Sequence, residues 1–251
     1  MYDLEDHYWW YRGLRALTRE AIDRHAPRCA ALLDVGCGTG GLLHELGSDR
    51  HRCRRIGLDL SRDALAFCHR RGLRDVLCGS LNDLAIKRSS FDVVTCTDVL
   101  YMNGIDEPRA VSEIHRLLRP GGILIVNVAA FEFLRGYHDH FVRTQHRFRR
   151  DEAIALLRNA GFEILKATYW NATLFPVVAL VRLMRGHGAP VTESDLRPIS
   201  PAMNRALAAI VGLETRWLRR WTLPLGTSVF CVARKPESAG LGDSSVDGRL
   251  I

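Results

Sequence analysis

The sequence predicts an α/β fold, a doubly wound and mostly parallel sheet of seven strands with a helical insertion before the last strand. Two observations support this prediction. Short apolar runs alternate with amphipathic segments between residues 30 and 170, at the spacing expected of βαβ units. One of these runs, 32–35, leads into a glycine-rich turn at 36–41, as happens where a buried strand turns tightly into a helix.

The pattern also predicts the elements and their limits. In chain order we expect a helix over 8–25, strands at 30–35 and up to Asp59, helices at 40–47 and 61–71, strands at 76–78 and 91–96, a helix at 107–118, a strand at 123–129, a helix at 151–160, and strands at 162–169 and 228–233. Ser61 suits the cap of its helix, Gly161 a helix end, and Pro120-Gly121-Gly122 a turn.

A chain of 251 residues can bury one good-sized core, so we expect one domain over 1–236, with a lid helix at 8–25 and an insertion at 172–226. Residues 237–251 are small and polar without periodicity, and predict a disordered tail. The insertion contains helix-like segments at 173–185 and 201–221. It is open to four interpretations: a helical layer on the sheet, a substrate cap, a dimer surface, or a helix that lies on a membrane surface through 172–221.

Bulk properties narrow the class of protein. The net charge is +7, but the arginines are dispersed, which disfavours nucleic acid as the partner. Seven cysteines without a C-x-x-C spacing argue against disulfides and against a zinc site, and they favour the cytoplasm. The N-terminal residues lack the apolar core of a signal peptide, and the apolar stretch from Ala172 to Met184 is too short to span a membrane.

Two acids mark the expected ligand site. Asp34 lies two positions before Gly36, and Asp59 closes the next apolar run. Together they indicate a ligand with a cationic amine and a ribose. The glycines also fit the dinucleotide fingerprint, which alone is a weak signal. A pyrophosphate would be repelled by Asp34, and none of the three lysines has a tyrosine four residues before it, so a nicotinamide cofactor is disfavoured.

These residues resemble class I S-adenosylmethionine (SAM)-dependent methyltransferases. The resemblance rests on Asp34-x-Gly36-x-Gly38-x-Gly40 with Asp59, on the fourth-strand run at 90–100, and on the turn at 117–124. It covers roughly residues 30–130, and the most similar branch is the small-molecule one that includes the quinone-biosynthesis methyltransferases. The resemblance implies that the last strand is antiparallel and that the cofactor is SAM.

The resemblance also implies roles for residues of this chain. Gly36 to Gly40 would wrap the methionine and ribose parts of SAM, with Asp34 near the amine and Asp59 on the ribose hydroxyls. The family carries an acid near the adenine where this chain has Ser80, and Asn82 or Asp83 would be the substitutes. The full set of expected cofactor contacts is Asp34, Gly36, Cys37, Gly38, Gly40, Asp59, Leu60, Ser80, Leu81 and Thr97, with Trp10 and Arg12 from the lid helix, where Tyr11 is a further candidate.

Methyl transfer from a sulfonium needs alignment, and it needs a base only where the acceptor is a poor nucleophile such as an alcohol. His138, His140 and His146 follow the fifth strand and are base candidates because histidine titrates near neutral pH. Asp98 and Tyr101 are second-line candidates for a base or for a contact with the acceptor. A structural or surface role is the alternative for each histidine. Arg143, Arg147 and Arg149 would suit an anionic acceptor.

The acceptor class is predicted by exclusion and by resemblance. The chain lacks the Asn/Asp-Pro-Pro-Tyr motif of enzymes that methylate exocyclic base nitrogens, and it has no Pro-Cys pair as in cytosine C5 methylation. We therefore expect a small-molecule acceptor, with the hydroxyl of a sugar, lipid-linked or natural-product substrate as the first hypothesis. A methyltransferase acting on RNA or protein and a non-catalytic SAM-binding partner subunit remain alternatives.

Overall fold

A computed structural model describes residues 5–47, 53–82, 84–136, 139, 143–185 and 199–237. The helices are α1 (Trp9–His25), α2 (Gly41–Gly47), α3 (Arg62–Arg70), α4 (Glu107–Leu117), α5 (Arg150–Asn159), α6 (Phe175–Arg185) and α7 (Pro201–Leu218). The strands are β1 (Ala31–Val35), β2 (Arg54–Asp59), β3 (Val76–Cys78), β4 (Phe91–Thr97), β5 (Leu118–Ala129), β6 (Glu163–Trp170) and β7 (Ser228–Arg234).

The seven strands form one sheet in the order β3-β2-β1-β4-β5-β7-β6. The first five strands are parallel, and β7 runs antiparallel between β5 and β6. The order reverses beside β1, which pairs with both β2 and β4, so the carboxyl ends of β1 and β4 form the crevice where ligands bind in such sheets. The predicted doubly wound fold and the antiparallel last strand are confirmed.

One predicted boundary was wrong. The turn expected at Pro120-Gly121-Gly122 lies inside β5, which begins at Leu118 opposite Phe91 of β4. Gly121 takes a positive φ of 77° and donates to the Lys235 carbonyl at 2.9 Å, so the ladder continues through an irregularity instead of stopping. Because Lys235 also bonds the carbonyls of His115 and Leu118, the segment after β7 holds the end of α4 in place.

Helices cover both faces of the sheet. One face buries apolar residues of α4 and α5, among them Ile114 and Leu157, against β4 and β5. The other face buries residues of α1, α2, α3 and α7, among them Leu17, Leu43 and Val211. Both faces of the central strands are therefore shielded, as a parallel sheet requires, and a ligand can approach at the ends of these strands.

The insertion is joined to the sheet through α7. A Cβ on Gly13 of α1 would lie 2.4 Å from Val211 Cγ1, so the two helices are in close contact there. Glu214, which is buried, accepts hydrogen bonds from the Ala172 and Thr173 backbone N–H groups at 3.0 and 3.1 Å and so fixes the approach to α6. The predicted helical layer is thus correct for α7. Among the described helices, none combines the length and the hydropathy needed to span a membrane.

Candidate active site

The glycine turn has the conformation that the sequence predicts. Gly36, Gly38 and Gly40 all have positive φ, between 54° and 82°, which residues with side chains rarely adopt. A Cβ on Gly36 would lie 2.1 Å from Val99 Cγ2, so the turn approaches the segment after β4 too closely for any side chain. The turn is held to β2 because Gly36 and Cys37 both donate to the Leu58 carbonyl.

Asp59 supports this turn from the neighbouring strand. Its Oδ2 accepts from the Gly38 N–H at 2.8 Å, and its Oδ1 accepts from the Ser61 N–H at 2.8 Å. Ser61 caps α3 through a bond to the Ala64 N–H, as expected. A carboxylate oxygen accepts more than one hydrogen bond. Asp59 can therefore support the turn and still receive the two ribose hydroxyls that the resemblance implies.

Asp34 is a buried acid at the end of β1, only 3% exposed. Its Oδ1 accepts a hydrogen bond from the Thr95 hydroxyl of β4 at 2.6 Å. Burial raises the Asp34 pKa to about 7, with the Thr95 bond lowering it and Glu5 and Asp59 raising it further. A cation placed beside Asp34 would stabilise its charged form, which suits the amine end of the expected ligand.

Asp98 is the second acid with a displaced pKa, and it directly follows β4. Its backbone has a positive φ of 61°, which turns its half-buried side chain toward Tyr101 and Asn127. Its Oδ1 accepts from the Tyr101 hydroxyl at 3.1 Å and from Asn127 Nδ2 at 3.0 Å. Burial raises the Asp98 pKa to about 7, while these two bonds and Arg147 lower it. The carboxyl is thus held in place and titrates near neutrality.

The N-terminal segment lies against the glycine turn, a contact that the sequence did not predict. Glu5 accepts from the Thr39 hydroxyl and from the Gly41 N–H, and it forms an ion pair with Arg71 at 3.3 Å. Arg71, whose side chain is 5% exposed, also donates to the Thr39 carbonyl at 2.9 Å. No spacing in the sequence links Glu5 to Thr39, so the sequence carries no signal for this contact.

Of the lid helix, Tyr11 rather than Trp10 or Arg12 faces the acids. Burial raises the Tyr11 pKa well above its usual value, with further contributions from Asp98 and Glu5. The Trp10 ring lies 5.7 Å from that of the buried Trp170 and packs on the core. Arg12 is exposed, and within the described residues no ion pair joins it to the glycine turn. The prediction of Trp10 and Arg12 as cofactor contacts stays untested, and the geometry favours Tyr11.

The residues expected around the adenine are arranged along the ends of β2 and β3. Leu60 is 73% exposed, Ser80 is half-buried and accepts from the Asn82 N–H, and the Leu81 side chain is part of the core. The Asn82 side chain bonds the Gly104 carbonyl and the Asp106 N–H, so it ties this segment to α4 and is not a free substitute for the missing acid. The other candidate, Asp83, lies outside the described residues.

The remaining cofactor candidates lie at the centre of the crevice. Thr97 ends β4 beside Asn127 of β5, and its side chain is half-buried. The Cys37 thiol is buried near Cys68, and the Cys68 thiol bonds the Gly38 carbonyl at 3.3 Å. The structure contains seven free cysteines. The carboxyl ends of β1 and β4 thus bring Asp34, the glycine turn, Thr97 and Asp98 to one crevice.

Of the three histidine candidates, His146 is the one that lies within the described residues. His138 and His140 lie outside the described residues. His146 pairs with Glu107 at 3.1 Å, and its ring lies 4.2 Å from that of Phe148, so its contacts are with the start of α4. This geometry fits the structural alternative for His146. The clusters of metal-binding side chains that would point to a metal centre are absent from the described part of the chain.

The arginines offered for an anionic acceptor differ in their surroundings. Arg147 donates from Nε and Nη2 to the two carboxylate oxygens of Asp139, at 2.9 and 3.0 Å, and from Nη1 to the Ala130 carbonyl. Arg143 and Arg149 are exposed. Because its charge is already balanced, Arg147 acts in this structure as a rigid support near Asp98 and not as a free anion-binding group.

Comparison with known proteins agrees with this geometry. A family model described as a methyltransferase domain matches residues 33–126. The chain is 31% identical over 219 residues to a probable S-adenosylmethionine-dependent methyltransferase of Mycolicibacterium smegmatis, covering 84% of this chain and 80% of the relative. It is 32% identical over 214 residues to a malonyl-[acyl-carrier protein] O-methyltransferase of Hahella chejuensis, covering 79% of this chain and 72% of the relative.

The fold is likewise similar to solved structures. The crystal structure of the [4+2]-cyclase SpnF superimposes with a TM-score of 0.59 at 25% identity, over 92% of this chain and 88% of that one. The name of that protein describes a reaction other than methyl transfer. The similarity therefore supports the architecture, and the reaction must be argued from the site itself.

Proposed function

The chain belongs to the SAM-dependent methyltransferase family, and on that premise we propose that it transfers the methyl group of SAM to a hydroxyl oxygen of a small-molecule acceptor. One observation supports the hydroxyl in particular. Asp98, at the carboxyl end of β4, has a pKa of about 7 and is held by Tyr101 and Asn127. A base with that pKa is matched to proton transfer near neutral pH.

The residues of the crevice fit SAM. Three glycines with positive φ leave room for a ligand against the backbone, Asp59 offers acceptors for a ribose, and Asp34 offers a counter-charge for an amine. When bound, SAM supplies a methyl carbon that its sulfonium sulfur activates for in-line attack by a nucleophile, with the sulfur as the leaving group. Cys37, Leu60, Ser80, Leu81 and Thr97 complete the proposed contacts, with Tyr11 above the acids.

The protein then has two tasks, which are alignment and removal of one proton. With SAM bound, Asp98 would take up the hydroxyl proton of the acceptor, whose oxygen would receive the methyl group. Tyr101 and Asn127 fix the carboxylate in one orientation, which limits the reorganisation needed for that transfer. Tyr11, which lies near Asp98 and Glu5, would limit the access of water to the crevice.

The test compares Asp98→Asn with Tyr101→Phe. The assay measures release of the demethylated cofactor across a panel of sugar, lipid-linked and phenolic hydroxyls, with matched amines, RNA and protein included. On the hydroxyl that turns over, Asp98→Asn should lower kcat by about 100-fold or more while SAM binding, followed by calorimetry, changes little. Tyr101→Phe should keep most of the rate but shift the pH profile to higher pH, because the carboxylate loses a hydrogen bond that stabilises its charge.

Several outcomes would contradict the proposal. Turnover on amines alone, or on RNA alone, would show that the acceptor is an amine or an RNA and not a small-molecule hydroxyl. An unchanged kcat in Asp98→Asn would remove Asp98 as the base and return the role to His138 or His140. SAM binding without turnover on any acceptor would favour the non-catalytic partner subunit.

A further inference from the structure

The exposed side of α7 carries an unusual combination of side chains. Met203, Ile210, Leu213 and Trp217 recur at helical spacing, and all four are exposed, Leu213 by 63% and Trp217 by 58%. Trp221, just past the helix, is 60% exposed, and its ring lies 6.3 Å from that of Trp217. A neighbouring side of the same helix is buried in the core, through Val211 against α1 and through Leu218. The helix is thus anchored by one apolar side and shows a second one to solvent.

The charges beside this apolar stripe are all of one sign. Arg205, Arg216 and Arg220 are exposed along one flank, and none of them forms an ion pair within the described residues. Between residues 199 and 225 the only acid is Glu214, which is buried and holds the approach to α6. The other acids of the insertion, Glu193 and Asp195, lie outside the described residues.

From this combination we infer that the exposed side of α7, formed by the apolar stripe and its arginine flank, docks on the surface of an anionic lipid bilayer. Apolar and tryptophan side chains enter the headgroup boundary, where tryptophan is favoured because its ring is apolar and its N–H is polar. Arginines beside them meet the negative surface potential of anionic lipids. The helix would lie in the plane of the interface and remain attached to the domain by α1.

Charge decides against a second copy of this chain as the occupant. A two-fold interface places the same surface on both partners. Two copies joined through α7 would therefore bring together surfaces that carry only arginines as exposed charges, with no acid of 199–225 to pair with them. Nucleic acid would match the arginines, but it would leave Met203, Ile210 and Leu213 against a polar backbone. A bilayer satisfies both the apolar and the cationic parts.

The experiment is sedimentation of the full chain with sucrose-loaded vesicles of phosphatidylcholine, with and without phosphatidylserine. The chain should partition onto the anionic vesicles, and more weakly as salt is raised. Arg205→Gln/Arg216→Gln/Arg220→Gln should lower the partition coefficient by about fivefold per charge, hence about 100-fold. Its matched control, Arg74→Gln/Arg88→Gln/Arg158→Gln, removes three exposed arginines elsewhere and should change it by less than about threefold.

A second variant tests the apolar part. Leu213→Gln/Trp217→Gln should weaken binding at high salt as well as at low salt, while circular dichroism and SAM binding stay as in the parent. Quenching of tryptophan fluorescence by brominated lipids should occur in the parent and be lost in Trp217→Phe/Trp221→Phe, since the other tryptophans are half-buried or buried in the domain.

Equal loss in the arginine variant and its control would overturn the inference, as would failure to bind either vesicle. If the parent forms dimers in light scattering but does not bind vesicles, and Leu213→Gln/Trp217→Gln dissociates these dimers, the surface would be assigned to a second copy of the chain. RNA binding that needs the three arginines, again without vesicle binding, would assign it to nucleic acid. None of these outcomes depends on the acceptor, so the proposed reaction stands or falls separately.

Discussion

Replacing Asp34 by Asn should make the stability of the ligand-free protein less sensitive to pH. The folded-state pKa of Asp34 is about 7, against 3.8 for an unburied aspartate, because burial disfavours its charge. The unfolded chain therefore loses this proton first as the pH rises. The folded state is penalised progressively between those two values, and the free energy of unfolding falls over that range.

The size of the effect follows from the two pKa values. Between about pH 5 and pH 8, Asp34 alone should lower the free energy of unfolding by about 2.5 kcal/mol. Asp98, whose pKa is also raised to about 7 but whose side chain is half-buried, should add a similar or smaller amount. Asp34→Asn stays neutral and keeps an oxygen for the Thr95 hydroxyl, so it should remove the first contribution and leave the second.

The assay is urea unfolding, followed by circular dichroism at about pH 5 and about pH 8, for the parent, Asp34→Asn and Asp34→Asn/Asp98→Asn. Asp63→Asn, which changes an exposed acid of α3, is the control and should keep the parental slope. A parental slope in Asp34→Asn would refute the reasoning. So would an equal loss of stability at both values of pH, since that would show a packing defect and not a titration.

Two glycine substitutions test close approaches in the fold, with urea unfolding and SAM titration as the measurements. Gly36→Ala should lower the free energy of unfolding by about 1–2 kcal/mol for its positive φ and by about 1–3 kcal/mol for the overlap with Val99, and it should abolish SAM binding. Adding Val99→Ala to this variant should recover only the part lost through the overlap. Gly38→Ala, which has open space around it, should lose only the part that comes from its positive φ. Gly13→Ala should lose about 1–3 kcal/mol through its contact with Val211 and should regain most of it in Gly13→Ala/Val211→Ala. A Gly36→Ala protein that binds SAM normally, or a Gly13 variant that Val211→Ala fails to rescue, would contradict these two predictions.

The elements of the sheet were predictable because local patterns determine them. Strand β3 (Val76–Cys78) and the start of α4 at Glu107 agree with the expected limits, because an apolar run or a helix cap depends on residues that are adjacent in the sequence. The start of β5 was missed because Gly121 and Gly122 predict a turn. Their pairing with Lys235, more than a hundred residues further on, keeps them in the ladder.

The conformation of the glycine turn was predictable from its local motif, whereas the roles of the site residues stay predictions. The sequence suggested that Asp34 would hydrogen-bond this turn, but Asp59 of the neighbouring strand does so instead. The contacts of Glu5 with Thr39 and of His146 with Glu107 join segments that are distant in the sequence, so no local sequence pattern predicted them. The Asp98 pKa could not be predicted either, because it depends on burial and on Asn127 from another strand.

The position of the insertion in the sheet has a consequence for how this chain can diverge. The insertion leaves from β6, the edge strand, and returns through β7, so it crosses none of the parallel ladders that carry the glycine turn and Asp59. Residues there can be added, lost or exchanged while the strands that form the crevice keep their register. Changes on the exposed side of the insertion can therefore alter the surface of the domain without a shift of register between the strands that carry the glycine turn and Asp59.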